Sequence, residues 1–328
     1  MDTEPDPDVV PRLDPALRRF AAARSDLSPE ALDGVRRSLN ERRHDAAGRT
    51  DTTGVDISEF RVPVDGDRSV AVRIYRGGPS PSPVLIYCHA GAFVLGNLDT
   101  DHRQCVEWAR RASCAVISVD YRLAPEHPYP AALTDAAAVL DWAWTAAPEL
   151  GVDRGRLAVG GSSAGAALAA GLAQRSAGGT LPPLVFTLLH QPVLDDRPTA
   201  SKAEFVTTPG FDGIAAAAMW RHYLGGAAPT CAAVPGRNNG LLDLASTLIT
   251  CSELDPLRDE AMEYARRLMQ AGVRTDLHVF GGTCHGFDSL HADWEVSGTL
   301  FTLQSDALRR AFGESSCLQI VVIVSRWC

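Results

Sequence analysis

From residue 83 onward, short apolar runs alternate with stretches of helical character, and this alternation restricts the chain to few folds. The helical candidates are residues 131–146, 164–174 and 256–270. The apolar runs are residues 84–87, 115–119, 157–159, 184–189, 247–249 and 277–280. Continuous apolar strands separated by helices are typical of a parallel sheet covered on both faces. The sequence therefore predicts an α/β fold with a mostly parallel central sheet and helices on both faces.

Three segments fall outside this alternation. Residues 57–64 and 69–75 flank Asp65-Gly66-Asp67, a pattern typical of a β-hairpin. Residues 198–226 contain an Ala-rich helix at 214–223, and we expect them to form a lid over the carboxyl edge of the sheet. The residues after 312 carry the apolar run 320–324. We interpret 313–328 as a disordered or artificially added tail; an added edge strand or an aggregation-prone segment is the alternative.

Composition excludes several classes of protein. The chain has 328 residues with 31 basic and 40 acidic side chains, a net charge of −9, which disfavours a nucleic-acid binder. None of the eight cysteines form a Cys-x-x-Cys pair, which argues against a zinc ribbon or a thioredoxin-like site. The start is acidic and Pro-rich, unlike a secretory signal, and no window approaches the roughly 18 apolar residues of a membrane span. We expect a cytoplasmic protein, with a homodimer left open.

A strand, a Gly-x-Ser-x-Gly turn and a helix follow one another around Ser163. This order is the context of a nucleophile elbow, in which the serine sits on a sharp turn at the end of a strand. Glycine at 161 and 165 removes the side chains that would clash in such a turn. The hydroxyl of Ser163 is therefore the candidate nucleophile, at the positive end of the following helix.

A serine hydroxyl needs a base to take its proton and a carboxylate to orient that base. In strand–turn–helix sites of this type the chain order is Ser, acid, His. Asp255 follows the strand at 247–249, and His285 lies in a Gly-flanked loop after the strand at 277–280. Asp255 and His285 are the candidate acid and base. Asp259, His278 and His291 compete less well, because they are expected inside a helix, inside a strand and beyond the loop.

The loop after the strand at 84–87 supplies candidate donors for an oxyanion. It reads His89-Ala90-Gly91-Ala92-Phe93. Sites with this elbow take one N–H from the residue after the nucleophile, here Ala164, and others from a loop of this kind. The backbone N–H groups of Gly91, Ala92 and Ala164 are therefore the candidate oxyanion hole. The aromatic side chains of Phe93, Phe211, Trp220 and Phe287 are candidates for lining the substrate pocket, with ordinary packing as the alternative for each.

At these residues the chain resembles the hormone-sensitive-lipase-like branch of the α/β-hydrolases, the bacterial family IV carboxylesterases. The resemblance covers residues 60–312 and includes five ordered motifs. They are His89-Ala90-Gly91-Ala92, residues 120–132, the Ser163 elbow, residues 255–259 and His285-Gly286-Phe287. It implies an α/β-hydrolase fold over residues 51–312 and a helical cap formed by residues 1–50 with 198–226. It also implies no metal or organic cofactor, and a small-molecule ester substrate with a short to medium acyl chain.

Two motifs depart from the usual pattern of that family. Its loop is usually His-Gly-Gly-Gly, whereas this chain has Ala90 and Ala92; its elbow is usually Gly-Asp-Ser-Ala-Gly-Gly, whereas this chain has Ser162 and Ala166. A donor at Ala92 requires either a negative φ or tolerated strain. Residues 120–130 are expected to be structural, their Arg and Glu forming a buried ion pair beside the elbow.

The hypothesis is a serine carboxylesterase that works through an acyl-enzyme intermediate. Because the reaction requires a neutral His285, esterase activity should fall in acid. Two alternatives remain open: an amidase or peptidase with the same three residues, and a non-catalytic binding protein on the same fold. A dinucleotide site at residues 160–165 is disfavoured, because the Gly-x-Gly-x-x-Gly spacing is incomplete.

Overall fold

The apolar runs of the sequence form strands of one sheet. The computed structural model describes residues 7–313 except 65 and 67, and all elements below belong to this part of the chain. The strands are β1 Asp56–Pro63, β2 Ser69–Arg76, β3 Ser82–Cys88, β4 Ala115–Val119, β5 Val152–Ser162, β6 Phe186–His190, β7 Ser246–Leu254 and β8 Thr275–Cys284. Their order in the sheet is β1-β2-β4-β3-β5-β6-β7-β8.

Strands β3 to β8 run parallel to one another, so their carboxyl ends meet at one edge of the sheet. The predicted hairpin is present: β1 pairs antiparallel with β2, from Asp56 opposite Arg76 to Pro63 opposite Ser69. Strand β2 also runs antiparallel to β4. The prediction of a mostly parallel sheet is therefore confirmed, with an antiparallel edge built from the hairpin.

Helices lie between the strands where the sequence predicts them. The α-helices are α1 Leu32–Gly48, α2 His102–Arg111, α3 Ala131–Thr145, α4 Ala147–Leu150, α5 Ala164–Ala177, α6 Ala200–Glu204, α7 Gly213–Leu224, α8 Arg258–Gln270, α9 Phe287–Leu290 and α10 Glu295–Ala311. Short 3₁₀ turns occupy Val10–Arg12, Arg18–Phe20 and Pro235–Arg237. The Ala-rich stretch predicted at 214–223 is helix α7.

The core lies on both faces of the sheet, as alternate residues of β3 demonstrate. Ile86 and Cys88 belong to a cluster with side chains of α3, α5, α7 and α8. Leu85 and Tyr87, which point to the opposite face, pack with α2 and α10. Every residue of β3 is buried. A strand covered on both faces reads as a continuous apolar run, which explains why these strands are recognisable in the sequence.

The N-terminal segment and the insertion at 198–226 contact each other. The N–H of Gly210 donates to the carbonyl of Ala23 at 3.0 Å, and the Ser25 hydroxyl donates to the carbonyl of Gly210 at 2.7 Å. Nε2 of His222 lies 2.8 Å from the carbonyl oxygen of Leu27. The two segments expected to form a cap therefore lie side by side. The interpretation of the C-terminal tail falls on residues beyond Gly313, which are outside the described residues.

The expected ion pair within residues 120–130 is absent from the described chain, and this prediction is wrong. Arg122 instead pairs with the buried Asp135 of α3, with Nε 2.8 Å from Oδ2. Glu126 points outward and accepts from Arg36 of α1 at 2.6 Å. The same guanidinium donates to the carbonyl of Val94 at 2.7 Å. Sequence proximity suggested a local pair, but each side chain finds its partner on a different helix.

The turn between β5 and α5 depends on two glycines at which backbones come close together. A Cβ at Gly161 would overlap the carbonyl oxygen of Gly165, and a Cβ at Gly165 would overlap the carbonyl oxygen of Cys88 at the end of β3. Helix α5 therefore begins in direct contact with the end of β3. This contact is possible only without side chains at these two positions, as the sequence predicts.

Gly165→Ala should destabilise the protein, because the new methyl group meets backbone atoms that cannot move independently. Thermal unfolding monitored by circular dichroism measures the effect. Gly298→Ala, inside α10 with open space around its Cβ, is the matched control and should stabilise by about 1 kcal/mol. An unchanged melting temperature for Gly165→Ala would contradict the contact.

Candidate active site

Ser163 occupies the turn that joins β5 to α5. Its backbone has φ of +54°, a left-handed conformation that is unusual for a residue with a side chain. The conformation is held from both sides, since the Ser163 N–H donates to the carbonyl of His190 at 2.8 Å, and its carbonyl accepts from the N–H of Val193 at 3.2 Å. Strain of this kind is common at functional sites.

A continuous chain of hydrogen bonds joins the three residues that the sequence selected. Nε2 of His285 lies 3.0 Å from the Ser163 hydroxyl, and Nδ1 lies 2.8 Å from Oδ2 of Asp255. All three side chains are buried, with Asp255 fully so. The second carboxylate oxygen of Asp255 accepts from the N–H of Leu257 at 2.8 Å. An acceptor at Nδ1 places the proton there and leaves Nε2 free to accept from the serine.

The competing acid and histidines take other partners. Oδ2 of Asp259 accepts from the N–H of Ser201 at 2.7 Å, and Oδ1 accepts from Arg258. His278 lies in β8 with its ring 4.3 Å from that of Phe280. The ring of His291 stacks at 6.1 Å on Trp294. None of the three joins the hydrogen-bonded chain of Ser163 within the described residues.

The loop after β3 presents backbone donors beside the elbow. Gly91 has φ of +140° and Ala92 has φ of +53°, so the strain that alanine brings at 92 is tolerated here. Among the described residues, the N–H groups of Gly91 and Ala92 meet no acceptor. Ala164 is the first residue of α5, so its N–H has no partner within the helix. The structure thus brings three unpaired N–H groups to the end of β3 and the start of α5.

The carboxyl group of Asp101 is hydrogen-bonded to this loop, a role that the sequence does not predict. Its Oδ2 accepts from the N–H of Ala90 at 2.8 Å and from the Tyr87 hydroxyl at 2.9 Å. Burial raises the pKa of Asp101 above its ordinary value. The only sequence signal is an acidic residue shortly after the loop, at the start of α2. That signal is indistinguishable from an ordinary helix N-terminus.

His89 is part of the support of the loop. Its ring stacks on Tyr121 with centroids 4.2 Å apart, and its Nδ1 lies 2.8 Å from the carbonyl oxygen of Ala90. The Tyr121 hydroxyl donates to the carbonyl of His89 at 2.7 Å. Complete burial lowers the pKa of His89 to about 4, so the ring is neutral at physiological pH. A neutral, buried ring fixes the loop without adding charge near the donors.

The four candidate pocket aromatics separate into two places. The ring of Phe93 lies 3.8 Å from that of Tyr223 and 6.1 Å from that of Trp220. The ring of Phe211 lies 4.9 Å from the imidazole of His285. Phe287 is fully buried in another cluster beneath the N-terminal segment. Phe211 therefore contacts the histidine, Phe93 and Trp220 pack together with Tyr223, and Phe287 packs in a separate cluster.

A second buried polar network lies behind the elbow. Nε2 of His190 is 3.2 Å from Oδ1 of Asp288, and its Nδ1 is 2.8 Å from the Thr250 hydroxyl. Burial opposes ionisation of Asp288, but the charge and hydrogen bond of His190 and the amide of Gln104 outweigh it, so its pKa lies below the ordinary value. The network fixes His190, whose carbonyl supports the backbone of Ser163.

Residues 7–64, 66 and 68–313 contain no group of three or more His, Cys, Asp or Glu side chains able to hold a metal ion. In the same part of the chain, every helix is too short or too polar to cross a bilayer.

If the N–H groups of Gly91 and Ala92 receive an oxyanion, as the sequence predicts, Asp101→Ala should lower kcat by about 10- to 100-fold, because the Ala90 N–H loses its acceptor and the two neighbouring N–H groups lose their fixed position. Steady-state hydrolysis of p-nitrophenyl butyrate measures the effect. Tyr87→Phe removes the other donor to Asp101 and keeps the Ala90 contact, so its kcat should stay within a few-fold of wild type. Equal losses in the two variants would argue against a specific role of the loop contact.

Comparison with known proteins places this geometry in a family. A family model described as alpha/beta hydrolase fold matches residues 85–289. Esterase LipI of Mycobacterium tuberculosis (strain ATCC 25618 / H37Rv) is 41% identical over 233 residues, which are 68% of this chain and 73% of that protein. The crystal structure of esterase LipW from Mycobacterium marinum is 58% identical with a TM-score of 0.93, and the match covers 95% of this chain and 99% of that one.

The structure of a bacterial heroin esterase is 37% identical with a TM-score of 0.88, over 92% of this chain and 99% of that one. The expected fold and enzyme class are thereby confirmed. With a family model that spans more than half of the sequence and esterases among its relatives over most of its length, the chain belongs to the α/β-hydrolases, in the hormone-sensitive-lipase-like branch of carboxylic ester hydrolases.

Proposed function

We propose that Ser163, His285 and Asp255 are the nucleophile, the general base and the orienting acid of this carboxylesterase. The observation that carries the proposal is the unbroken chain of hydrogen bonds, 3.0 Å and 2.8 Å long, that ends on a serine at a strained strand-to-helix turn. An esterase needs an activated hydroxyl at the surface of its pocket and a base within hydrogen-bond distance. These three residues satisfy both requirements.

In the first half of the reaction, the Ser163 hydroxyl attacks the ester carbonyl carbon and its proton passes to Nε2 of His285. The carboxylate of Asp255 accepts from Nδ1 and stabilises the imidazolium that forms. The carbonyl oxygen becomes an oxyanion. The imidazolium then donates its proton to the leaving alcohol oxygen as the ester bond breaks, leaving an acyl group on Ser163.

In the second half, His285 takes a proton from water, whose oxygen attacks the acyl carbon. The tetrahedral intermediate collapses, the carboxylic acid leaves, and the proton returns to the oxygen of Ser163. We assign the oxyanion contacts of both halves to the N–H groups of Gly91, Ala92 and Ala164. Their lack of internal acceptors supports this assignment, since donors held ready for an oxyanion avoid the cost of reorganisation.

The substrate pocket of this proposal is lined by aromatic side chains. Phe93 follows the oxyanion donors in the chain, and Trp220 and Tyr223 of α7 pack against its ring. Phe211 contacts the ring of His285. Large rigid rings next to the loop after β3 and to His285 support short- to medium-chain acyl esters as substrates. Phe287 has no part in this pocket, because it packs in another cluster.

The same proposal treats residues 1–50 and 198–226 as the cap and residues 51–312 as the catalytic domain. The contact of Ala23 and Ser25 with Gly210 supports a shared cap, next to the Phe211 that touches His285.

A net charge of −9 supports a small-molecule ester substrate over a nucleic acid. Cytoplasmic location and a homodimer stay predictions, which cell fractionation and light scattering would test.

Ser163→Ala should lower kcat for p-nitrophenyl butyrate by at least about 10³-fold, because the acyl-enzyme has no oxygen on which to form. Ser162→Ala, which removes the neighbouring hydroxyl, is the matched control and should retain most of the activity. A fluorophosphonate should label Ser163 in the wild-type protein, and mass spectrometry of the digested protein identifies the labelled residue. Normal turnover by Ser163→Ala would rule out the proposed nucleophile.

Matched ester and anilide substrates distinguish the esterase from an amidase, which would cleave both at similar rates.

Trp220→Ala should shift the preference toward longer acyl chains, because it removes a wall of the pocket beside Phe93. We expect the ratio of kcat/KM for the decanoate ester to that for the acetate ester to rise about tenfold, as removal of steric exclusion in a hydrophobic pocket typically allows. Trp294→Ala, which truncates a tryptophan packed on Phe287, should leave the ratio unchanged. An unchanged ratio in Trp220→Ala would mean that the acyl chain binds elsewhere.

A further inference from the structure

The short segment after β6 contacts the serine and the histidine halves of the site at once. The carbonyl of His190 accepts from the N–H of Ser163, and the N–H of Val193 donates to the carbonyl of Ser163 at 3.2 Å. Gln191 lies between these two anchors. Any side chain at 191 is therefore held in a fixed position relative to the backbone of the nucleophile.

The amide of Gln191 bonds to the backbone on both sides of His285. Its Oε1 accepts from the N–H of Gly286 at 2.7 Å, and its Nε2 lies 3.4 Å from the carbonyl oxygen of Cys284. Nε2 also donates to the Ser252 hydroxyl at 2.7 Å, which in turn donates to the same Cys284 carbonyl at 3.0 Å. The orientation of the amide is fixed, because a backbone N–H can only donate.

The side chain and the backbone of Gln191 are both held in place by their surroundings. Its side chain is 1% exposed, and its N–H donates to the carbonyl of Thr250 in β7 at 2.6 Å. Its φ is +45°, a conformation that residues with side chains adopt only where the surroundings impose it. In this strained conformation, the residue makes hydrogen bonds both to β7 and to the loop that carries His285.

We propose that Gln191 is a positioning residue for catalysis, which sets the imidazole of His285 against the Ser163 hydroxyl. The argument rests on the proposed function, in which His285 is the base. Among the described residues, the loop from Cys284 to Gly286 has no hydrogen bond to the elbow other than that between His285 and Ser163. Gln191 ties this loop to the segment after β6, whose His190 and Val193 bond to the backbone of Ser163. Because misplacement of a reacting group by about 1 Å costs roughly 100-fold in rate, a loosened loop should be visible in kcat.

The test is Gln191→Met. Methionine has a side chain of similar length and places the same demand on the backbone at 191, but it cannot form the hydrogen bonds of the amide. We expect kcat for p-nitrophenyl butyrate to fall about 10- to 100-fold with KM nearly unchanged, because the defect lies in proton transfer and not in binding. The rate of inactivation by a fluorophosphonate should fall by the same factor. The downfield proton resonance of His285 Nδ1–H, a signature of its bond to Asp255, should broaden.

Gln174→Met is the matched control for a purely structural effect. Gln174 of α5 donates to the carbonyl of Pro235 and to the Tyr264 hydroxyl, both at 3.0 Å, away from the catalytic residues. Gln174→Met should lower the melting temperature and leave kcat and the downfield resonance as in wild type. If Gln191→Met lowers kcat no more than Gln174→Met does, or keeps kcat within twofold of wild type, the positioning role is overturned.

Gln191→Glu covers the case in which the methionine variant fails to fold. It keeps an acceptor for Gly286 and sets a carboxylate against the Cys284 carbonyl, so kcat should again fall at least tenfold. Wild-type kcat in this variant overturns the proposal. Failure of the underlying mechanism is a separate result, because Ser163→Ala would then stay active whatever the variants at 191 do.

Discussion

The close approach of helix α5 to the end of strand β3 is the constraint on which the site depends. Only glycine at 165 permits it, since any side chain would overlap the carbonyl of Cys88. The approach places the start of α5 beside the loop that contains Gly91 and Ala92. It also fixes the position of the turn that contains Ser163. The parallel strands then add their own residues at the same edge, because their carboxyl ends coincide.

The polar groups beneath this edge support the loop after β3 and the elbow. His89 is neutral because it is buried, and the carboxylate of Asp101 is occupied by the Ala90 N–H and the Tyr87 hydroxyl. Behind the elbow, His190 and Asp288 satisfy each other. Among the described residues, Nε2 of His89 is buried without a hydrogen-bond partner, so this ring is held by its Nδ1 contact with Ala90 and by stacking on Tyr121.

The strands, the helices and the order of Ser163, Asp255 and His285 are predictable from sequence, because each depends on a local pattern. The roles of Asp101 and Gln191 are not, since a single polar residue at the end of an element looks the same whether or not it supports a site. The partners of Arg122 and Glu126 were mispredicted for a related reason. Long side chains bond to whatever folding brings near, here Asp135 and Arg36. Phe287 follows a catalytic-type motif yet packs into a separate cluster.

The guanidinium of Arg36 makes the position of the loop after β3 depend on helix α1. It donates to the carbonyl of Val94, two residues after Ala92 in that loop. The same group donates to the carbonyl of Ala124 and pairs with Glu126. One arginine therefore fastens α1, the loop after β3 and the loop before α3 together, so that a shift of any one of them loads the other two.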